Sequence, residues 1–149
     1  MATMDDVLRK HKITPEKNLC DTSFEIIADP DELLQVFTNL LRNSMQAIEE
    51  AKNKNENLGT PAKIWISTAV EGDNFAIRFS DNGPGIVKEN FEKVFESSFT
   101  TKSAEEGTGL GLSISRRFIR ALKGELSLEK SIPATETTFL IELPKTENA

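Results

Sequence analysis

The order of apolar and polar residues predicts strands and helices at defined places in the chain. Every second residue is apolar from Phe75 to Phe79, which is typical of a strand with one buried face. Apolar residues at helical spacing from Leu33 to Ala51 predict a long amphipathic helix, and those from Leu112 to Leu122 predict a shorter one. Grouped strands with helices between them indicate a mixed sheet that is covered by helices on one face. The predicted elements are a strand near 22–28, a helix over 31–52, strands near 62–70 and 74–81, a short helix near 88–96, a helix over 110–122, and strands near 124–130 and 137–143.

The long helix has a clear start, and the last two strands have a clear core side. Asp29 can cap the helix, Pro30 suits its first turn, and Asp31 is favourable beside the positive end of the helix dipole. Phenylalanines 91, 95 and 99 are candidates for packing an irregular segment near residue 100. The residues expected in the core of the last two strands are Leu126, Leu128, Phe139, Ile141 and Leu143.

Length and composition indicate one globular domain. The chain has 149 residues, of which 38% are hydrophobic, and it has no long apolar run, so it can bury one core and lacks a predicted membrane span. We expect residues 1–21 to form an approach segment before a single domain over 22–149. A net charge of −6 argues against general binding to nucleic acid or anionic membranes. A single cysteine, Cys20, and the lack of a signal-peptide pattern predict a cytoplasmic setting.

Asp81 ends the alternating strand and has the same parity as its apolar residues. An unbroken strand would point this carboxylate toward the buried face, where a charge needs hydrogen-bond donors. The amino group of adenine is one such donor. The residues that follow are Asn82-Gly83-Pro84-Gly85-Ile86, whose glycines would let a ligand approach the backbone closely. The alternative is a simple surface turn, because Asp-Asn-Gly sequences favour turns.

Four carboxamide side chains lie along a different face of the long helix: Gln35, Asn39, Asn43 and Gln46. Asparagine is a poor helix former, and lysine or glutamate would suit a solvated face better. Asn43 can offer a neutral oxygen to Mg²⁺, a metal that keeps several waters and takes few protein ligands. A polar flank without a ligand is the alternative interpretation.

A second glycine-rich segment, Gly107-Thr108-Gly109-Leu110-Gly111-Leu112, leads into the shorter helix. Backbone amides at a helix start form an anion site. Leucine takes the third glycine position of the dinucleotide fingerprint, and the chain has no glycine-lysine-serine run of a Walker A motif, so neither of those nucleotide motifs is present. The preceding residues 99–106 are polar and irregular, which favours a lid in which Lys102 reaches phosphate.

In this order, the motifs resemble the boxes of the sensor histidine kinase catalytic and ATP-binding domain. Residues 39–43 are similar to the N box, 81–86 to the first glycine box, 91–102 to the F box, and 107–112 to the second glycine box. That domain belongs to the superfamily of DNA gyrase, a heat-shock chaperone and MutL. The resemblance covers residues 22–144 and implies an α+β fold, a two-layer α/β sandwich with a mostly antiparallel sheet of the Bergerat type. Thr100-Thr101-Lys102 resembles the nitrogen-regulation-like subgroup.

The resemblance implies a role for each matching residue. Asn43 would bind Mg²⁺, Asp81 would bind the adenine amino group, and Thr137 would lie near the base. Asn39 and Lys102 are the implied catalytic residues, and ATP and Mg²⁺ are the implied cofactors. The implied nucleotide-binding set is Asn39, Asn43, Asp81, Gly83, Gly85, Ile86, Thr101, Lys102, Gly107, Thr108, Gly109, Leu110, Gly111, Leu112 and Thr137.

The implied reaction is transfer of the γ-phosphate of ATP to a histidine in two-component signal transduction. ATP-hydrolysing relatives carry a glutamate at the position of Asn39, and an amide is a poor general base for water. The single histidine, His11, is followed by Lys12 instead of the acidic residue of the phosphoacceptor box, so we expect a separate histidine-bearing dimerisation domain to be the acceptor. We also expect a response regulator downstream, and an isolated domain that is a monomer without nucleic-acid or membrane contact. Two alternatives stay open, namely an ATP-dependent conformational switch or serine kinase of the same superfamily, and a binding module without catalysis.

Overall fold

A computed structural model describes residues 16–18, 28–53, 63–96, 111–132 and 135–144. These ranges contain two α-helices, α1 (Pro30–Asn53) and α2 (Gly111–Ala121), and two 3-10 turns, Lys88–Asn90 and Lys93–Phe95. They also contain five strands, β1 (Glu16–Asn18), β2 (Ile64–Glu71), β3 (Asn74–Asp81), β4 (Glu125–Ile132) and β5 (Glu136–Pro144).

The strands form one sheet in the order β1-β2-β3-β5-β4. β1 is parallel to β2, and the other neighbouring pairs are antiparallel. A two-residue turn joins β2 to β3, and its Gly72 has a φ of 64°, which glycine adopts at little steric cost. This sheet confirms the predicted α+β fold with a mixed, mostly antiparallel sheet.

One face of the sheet packs against both helices and forms the core. The strand register places Phe79 beside Phe139, and Ile77 beside Ile141. The ring of Phe37 on α1 packs against Phe79 with a centroid distance of 5.5 Å. The five apolar residues predicted for the core of the last two strands are all buried there. The buried cluster contains Val36, Leu40, Ile77, Phe79, Val94, Phe95, Ile119, Leu126, Leu128, Phe139, Ile141 and Leu143.

The other face of the described sheet carries charged side chains. Arg78 on β3 forms ion pairs with Glu71 on β2 at 2.7 Å and with Glu129 on β4 at 2.9 Å. Hydrogen bonds to Glu129 and Glu71 raise the pKa of Arg78 above its usual range, and the bond from Arg78 lowers the pKa of Glu71. The difference between the two faces is what the alternation along β3 predicts.

Local hydrogen bonds define the start of α1 and the end of α2. α1 begins as predicted, because the Asp29 carboxylate accepts a hydrogen bond from the backbone N–H of Asp31 at 2.8 Å. α2 is followed by Lys123, whose φ of 63° is unusual for a residue with a Cβ. The N–H of Gly124 donates to the carbonyl oxygen of Ile119 at 3.0 Å and closes the helix end. A Cβ at Gly124 would overlap the carbonyl oxygen of Glu142, so packing requires a glycine at this position.

Some predicted elements differ from the structure or lie beyond it. The single short helix predicted over 88–96 is wrong, because this segment forms two separate 3-10 turns without a side-chain cap. So short a segment gains few backbone bonds from an α-helix. β1 lies within residues 1–21, which we expected to form an approach segment before the domain. Its three residues are too few to show an alternation of apolar and polar positions. Most of the strand predicted near 22–28 lies outside the described residues. In the described part of the chain, no helix has the length and apolar character of a membrane span.

Candidate functional site

Asp81 is a buried carboxylate at the end of β3. It is 4% exposed, and it pairs with Thr137 on the helix-covered side of the sheet, as its strand parity predicts. Its Oδ2 accepts a hydrogen bond from the hydroxyl of Ser44 on α1 at 2.7 Å, and its Oδ1 accepts one from the N–H of Gly83 at 2.9 Å. These donors offset the cost of removing a carboxylate from water. Asp81 is therefore held as a hydrogen-bond acceptor between α1 and the loop that follows β3.

The loop after β3 requires glycine at positions 83 and 85 for different reasons. A Cβ at Gly83 would lie 2.9 Å from Oδ1 of Asp81 and 3.2 Å from Cγ1 of Ile48, so a larger residue would press on the carboxylate. Gly85 has a φ of 84°, which is strained for any residue with a Cβ. The loop therefore passes close to Asp81 with backbone atoms alone.

Three polar side chains form a row across one end of the sheet: Asp81 on β3, Thr137 on β5 and Ser131 on β4. The register pairs Thr137 with Asp81 on one side and with Ser131 on the other. The hydroxyl oxygens of Ser131 and Thr137 are 2.9 Å apart, and Ser131 Oγ accepts the N–H of Ile86 at 2.8 Å. Thr137 is 3% exposed. The row brings together the predicted residues Asp81, Ile86 and Thr137.

Asn39 connects α1 to the first turn of α2. Its side-chain N–H₂ donates to the carbonyl oxygen of Gly111 at 3.3 Å and to the hydroxyl of Ser115 at 3.1 Å. Ser115 is 0% exposed, so its hydroxyl needs a partner inside the protein. A Cβ at Gly111 would lie 3.7 Å from Cγ of Asn39, which is an ordinary contact. Asn39 thus fixes the place where the second glycine-rich segment enters α2.

Asn43 lies on α1 between the two groups of site residues. It follows Asn39 by one helical turn, directly precedes Ser44, and is partly buried. Within the described ranges, no group of three or more His, Cys, Asp and Glu residues could hold a metal ion. The amide oxygen of Asn43, together with water and phosphate, belongs to the ligand set that Mg²⁺ accepts.

Arg116 on α2 joins the 3-10 turns to the sheet. It donates to Glu92 at 3.0 Å and to Glu125 at 3.1 Å, and its guanidinium lies 4.2 Å from the ring centroid of Phe95. Burial opposes the charge of Arg116, but the bonds to these carboxylates outweigh it and raise the pKa. Phe95 packs edge-on against Phe139 with a centroid distance of 6.1 Å. Phe95 is therefore a core residue.

We call Asp81, Thr137 and Gly83 the base end of the candidate site, because their groups are of the kinds that could hold an adenine base. Asp81 presents an acceptor, Thr137 is its neighbour in the strand register, and the backbone at Gly83 passes so close to Asp81 that a Cβ would press on the carboxylate. Phe99, which we considered for lid packing, lies outside the described residues. So do six predicted binding residues, whose roles stay predictions: Thr101, Lys102, Gly107, Thr108, Gly109 and Leu110.

Three serines that sequence reasoning did not assign to the site make contacts there. Ser44 falls within the apolar stripe of α1, where a hydroxyl between Leu40 and Ile48 signals a polar partner. Ser115 meets Asn39 and Ser131 meets Ile86, which are 76 and 45 positions away in the sequence, so no local pattern could have identified these partners.

Comparison with known proteins agrees with the fold and identifies the family of the chain. Residues 28–147 match the family described as histidine kinase-, DNA gyrase B- and HSP90-like ATPase. The chain belongs to this family. The predicted resemblance to the sensor histidine kinase catalytic domain is confirmed, whereas the nitrogen-regulation-like subgroup stays a prediction.

Three of the proteins that this chain resembles are named as kinases. Sporulation kinase E of Bacillus subtilis (strain 168) is 32% identical over 133 residues, which are 89% of this chain and 16% of that protein. Sensor histidine kinase ZraS of Escherichia coli (strain K12) is 35% identical over 124 residues, which are 83% of this chain and 24% of that protein. The nucleotide-free catalytic domain of histidine kinase ThkA is 30% identical, with a TM-score of 0.76, and the match covers 95% of this chain and 85% of that one. This chain thus spans 16% and 24% of the length of the two curated relatives.

Proposed function

We propose that this chain binds Mg-ATP and transfers the γ-phosphate to a histidine on a separate dimerisation domain in two-component signal transduction. The observation that carries the proposal is the buried carboxylate of Asp81, which is held by Ser44 and Gly83 beside Thr137. A fixed acceptor next to a hydroxyl supports recognition of an adenine amino group. Membership of an ATPase family supports the same ligand.

The phosphates would lie toward Asn39, Asn43 and the start of α2. Asn43 would hold Mg²⁺, and the metal would supply positive charge to the phosphate oxygens. The second glycine-rich segment and Lys102 would contact the phosphates, as the resemblance implies. Asn39 would act by holding Gly111 and Ser115, so that the segment enters α2 at a fixed position.

The proposed reaction forms a bond between a histidine nitrogen and the γ-phosphorus and breaks the bond to the bridging oxygen, which leaves with ADP. Such transfer depends mainly on positioning and on stabilisation of charge. Asn39 favours transfer over hydrolysis, because an amide is a poor base and this one already donates to two groups of α2. We therefore propose a histidine as the acceptor in preference to water.

The acceptor histidine would come from another domain or chain. His11 lies outside the described residues, and its neighbours in the sequence do not match a phosphoacceptor box. Because the relatives carry long additional regions, a dimerisation domain and a response regulator are the proposed partners. The cytoplasmic setting and the monomeric state of the isolated domain stay predictions.

Calorimetric titration of the purified chain with ATP, with and without Mg²⁺, tests the binding step. We expect ATP binding that is stronger with Mg²⁺, and we expect Asn43→Ala to remove this dependence while the melting temperature is kept. Gln35→Ala is the matched control, because it removes a carboxamide from an exposed position of the same helix. An unchanged metal dependence in Asn43→Ala would contradict the role of Asn43, and no ATP binding by the unaltered chain would contradict the proposed function.

A further inference from the structure

Ser131 lies at the end of β4 and makes two contacts in the candidate site. Its Oγ accepts the N–H of Ile86 at 2.8 Å and lies 2.9 Å from Oγ1 of Thr137. We propose that Ser131 is a positioning residue that makes the hydroxyl of Thr137 a hydrogen-bond donor toward the base, and that it thereby selects adenine over guanine. This inference rests on the proposed nucleotide function and adds a determinant of base specificity to it.

The direction of the hydroxyl chain follows from the groups at its two ends. At one end, the N–H of Ile86 donates to Ser131, which occupies one lone pair of the serine oxygen and leaves its proton to be placed. At the other end, Asp81 is the cross-strand partner of Thr137, and its negative charge favours a hydroxyl whose hydrogen is turned to that side. The two oxygens of Asp81 accept hydrogen bonds from Ser44 and Gly83, so the O–H of Thr137 is left for the base. Thr137 therefore turns its O–H toward the side of Asp81, and Ser131 donates to the oxygen of Thr137.

This direction is also favourable for the chain as a whole. All its donors point the same way, from Ile86 through Ser131 to Thr137, so each hydrogen bond polarises the next. Thr137 is 3% exposed, and a buried hydroxyl of this kind keeps one orientation when its partner is fixed. Without Ser131, the hydroxyl of Thr137 could rotate and present an acceptor.

A donor beside an acceptor matches adenine and not guanine. The amino group of adenine donates to Asp81, and a ring nitrogen next to this amino group accepts from Thr137. Guanine has a carbonyl oxygen in place of the amino group, and on its pairing edge it has an N–H in place of the accepting ring nitrogen. The carbonyl oxygen of guanine would then face the carboxylate of Asp81, and its ring N–H would face the O–H of Thr137. Such mismatched pairs are how hydrogen-bonding sites reject a wrong ligand.

The test measures dissociation constants of the whole chain by calorimetry for ATP, 1-deaza-ATP and 7-deaza-ATP. Each analogue lacks one of the ring nitrogens near the amino group. In the unaltered chain, we expect 7-deaza-ATP, which lacks a nitrogen that guanine also has, to bind like ATP, and 1-deaza-ATP to bind about five- to tenfold more weakly, which corresponds to the loss of one hydrogen bond. Ser131→Ala should weaken ATP by a similar factor and abolish the difference between ATP and that analogue.

Two further variants make the test specific for the hydroxyl of Ser131. Ser131→Thr keeps the hydroxyl and should restore both the affinity and the difference between ATP and the analogue. Ser127→Ala makes the same change on β4 outside the row and should behave like the unaltered chain. If Ser131→Ala fails to fold, Ser131→Cys takes its place, because a thiol is only a weak donor and should give the same loss of discrimination.

Equal discrimination by Ser131→Ala and the unaltered chain would overturn the inference and leave the proposed function intact. The inference is also wrong if the unaltered chain binds 1-deaza-ATP as tightly as ATP, since Thr137 would then not read the ring nitrogen that distinguishes adenine from guanine. A chain that binds no ATP at all would contradict the proposed function and, with it, the inference.

Discussion

The two ends of the candidate site are held in different ways. At the base end, Asp81 is 4% exposed and receives hydrogen bonds of 2.7 and 2.9 Å from Ser44 and Gly83. At the phosphate end, partly buried Asn39 reaches α2 through bonds of 3.3 and 3.1 Å to Gly111 and Ser115. Short hydrogen bonds from α1 and from the loop after β3 hold Asp81, whereas the single side-chain amide of Asn39 connects α1 to α2.

This difference matches two separate tasks. Selection of a base depends on polar groups that cannot rearrange to accept a mismatched partner, so the acceptor has to be fixed before the ligand arrives. Transfer of phosphate to a second protein depends on access to the γ-phosphate and on its position relative to the acceptor histidine. We therefore expect changes at the base end to alter specificity, and changes at the phosphate end to alter transfer more than base selection.

The largest effect is expected from Asp81→Asn. The amide keeps one acceptor oxygen and places donors where Ser44, Gly83 and adenine also donate, so ATP should bind more weakly by about 1–3 kcal/mol. Discrimination against purine triphosphates that lack the amino group should also relax. Calorimetric titration measures both quantities. Asp73→Asn, the same change in the exposed β2–β3 turn, is the control, and equal affinities of Asp81→Asn and the control would contradict the anchor role.

A matched pair of glycine variants separates the two ends by packing alone. Gly83→Ala brings a Cβ within 2.9 Å of the Asp81 carboxylate, so it should lower both the unfolding free energy and the ATP affinity by about 1–2 kcal/mol each. A Cβ at Gly111 would lie 3.7 Å from Asn39, which is an ordinary contact, and alanine suits the helix that begins at this residue. Gly111→Ala should therefore leave the unfolding free energy equal or raise it by up to about 1 kcal/mol. Urea unfolding of both variants checks this. Equal destabilisation would show that the base end is no more tightly packed than the phosphate end.

Asn39→Asp tests the contact at the phosphate end. The change replaces the donor with a charged acceptor that faces the carbonyl oxygen of Gly111, so the unfolding free energy should fall by about 1 kcal/mol. The ratio of affinities for ATP and GTP should stay the same, because the base end is untouched. Gln35→Glu on the exposed part of α1 controls for added charge. A changed ATP-to-GTP ratio in Asn39→Asp would show that the two ends are coupled.

The smallest effect is expected in the pH dependence of the unfolding free energy, through the hydrogen bonds that Glu125 accepts from α2. Burial raises the pKa of Glu125, but the bonds from Arg120 and Arg116 outweigh it, so the pKa falls below 4.5. A carboxylate with a lowered pKa in the folded state stabilises the fold above the unfolded pKa, and this contribution is lost as the pH falls through the folded pKa. Because Glu125 is 44% exposed, we expect less than about 1 kcal/mol. Urea unfolding between pH 7 and pH 3 should show a smaller loss for Glu125→Gln than for the unaltered chain, and identical losses would contradict this contribution.

Local patterns in the sequence predicted most of the fold. β3 has the predicted bounds, because alternation and a glycine turn define it, and the same alternation correctly predicted that Asp81 points inward. The start of α1 followed from the cap at Asp29. β1 could not be predicted, since its three residues pair in parallel with β2 across a long sequence separation.

The partners of the site residues could not be predicted in the same way. Ser44 and Asp81 are 37 positions apart, and Asn39 and Ser115 are 76 apart, so the contacts depend on how helices lie on the sheet. Thr137 was expected near the base only by resemblance. The strand register pairs Thr137 with Asp81, and the place of Thr137 near the base stays a prediction.

The central claim is that this chain holds ATP for a histidine supplied by another domain. The direct test mixes the purified chain and γ-labelled ATP with a purified histidine-bearing dimerisation domain, and mass spectrometry identifies the labelled residue under conditions that preserve phosphohistidine. We predict transfer to the histidine of that domain, with little label on the isolated chain and little free phosphate. Rapid stoichiometric labelling of His11 in the isolated chain, transfer to serine, or release of the label as free phosphate would contradict the claim.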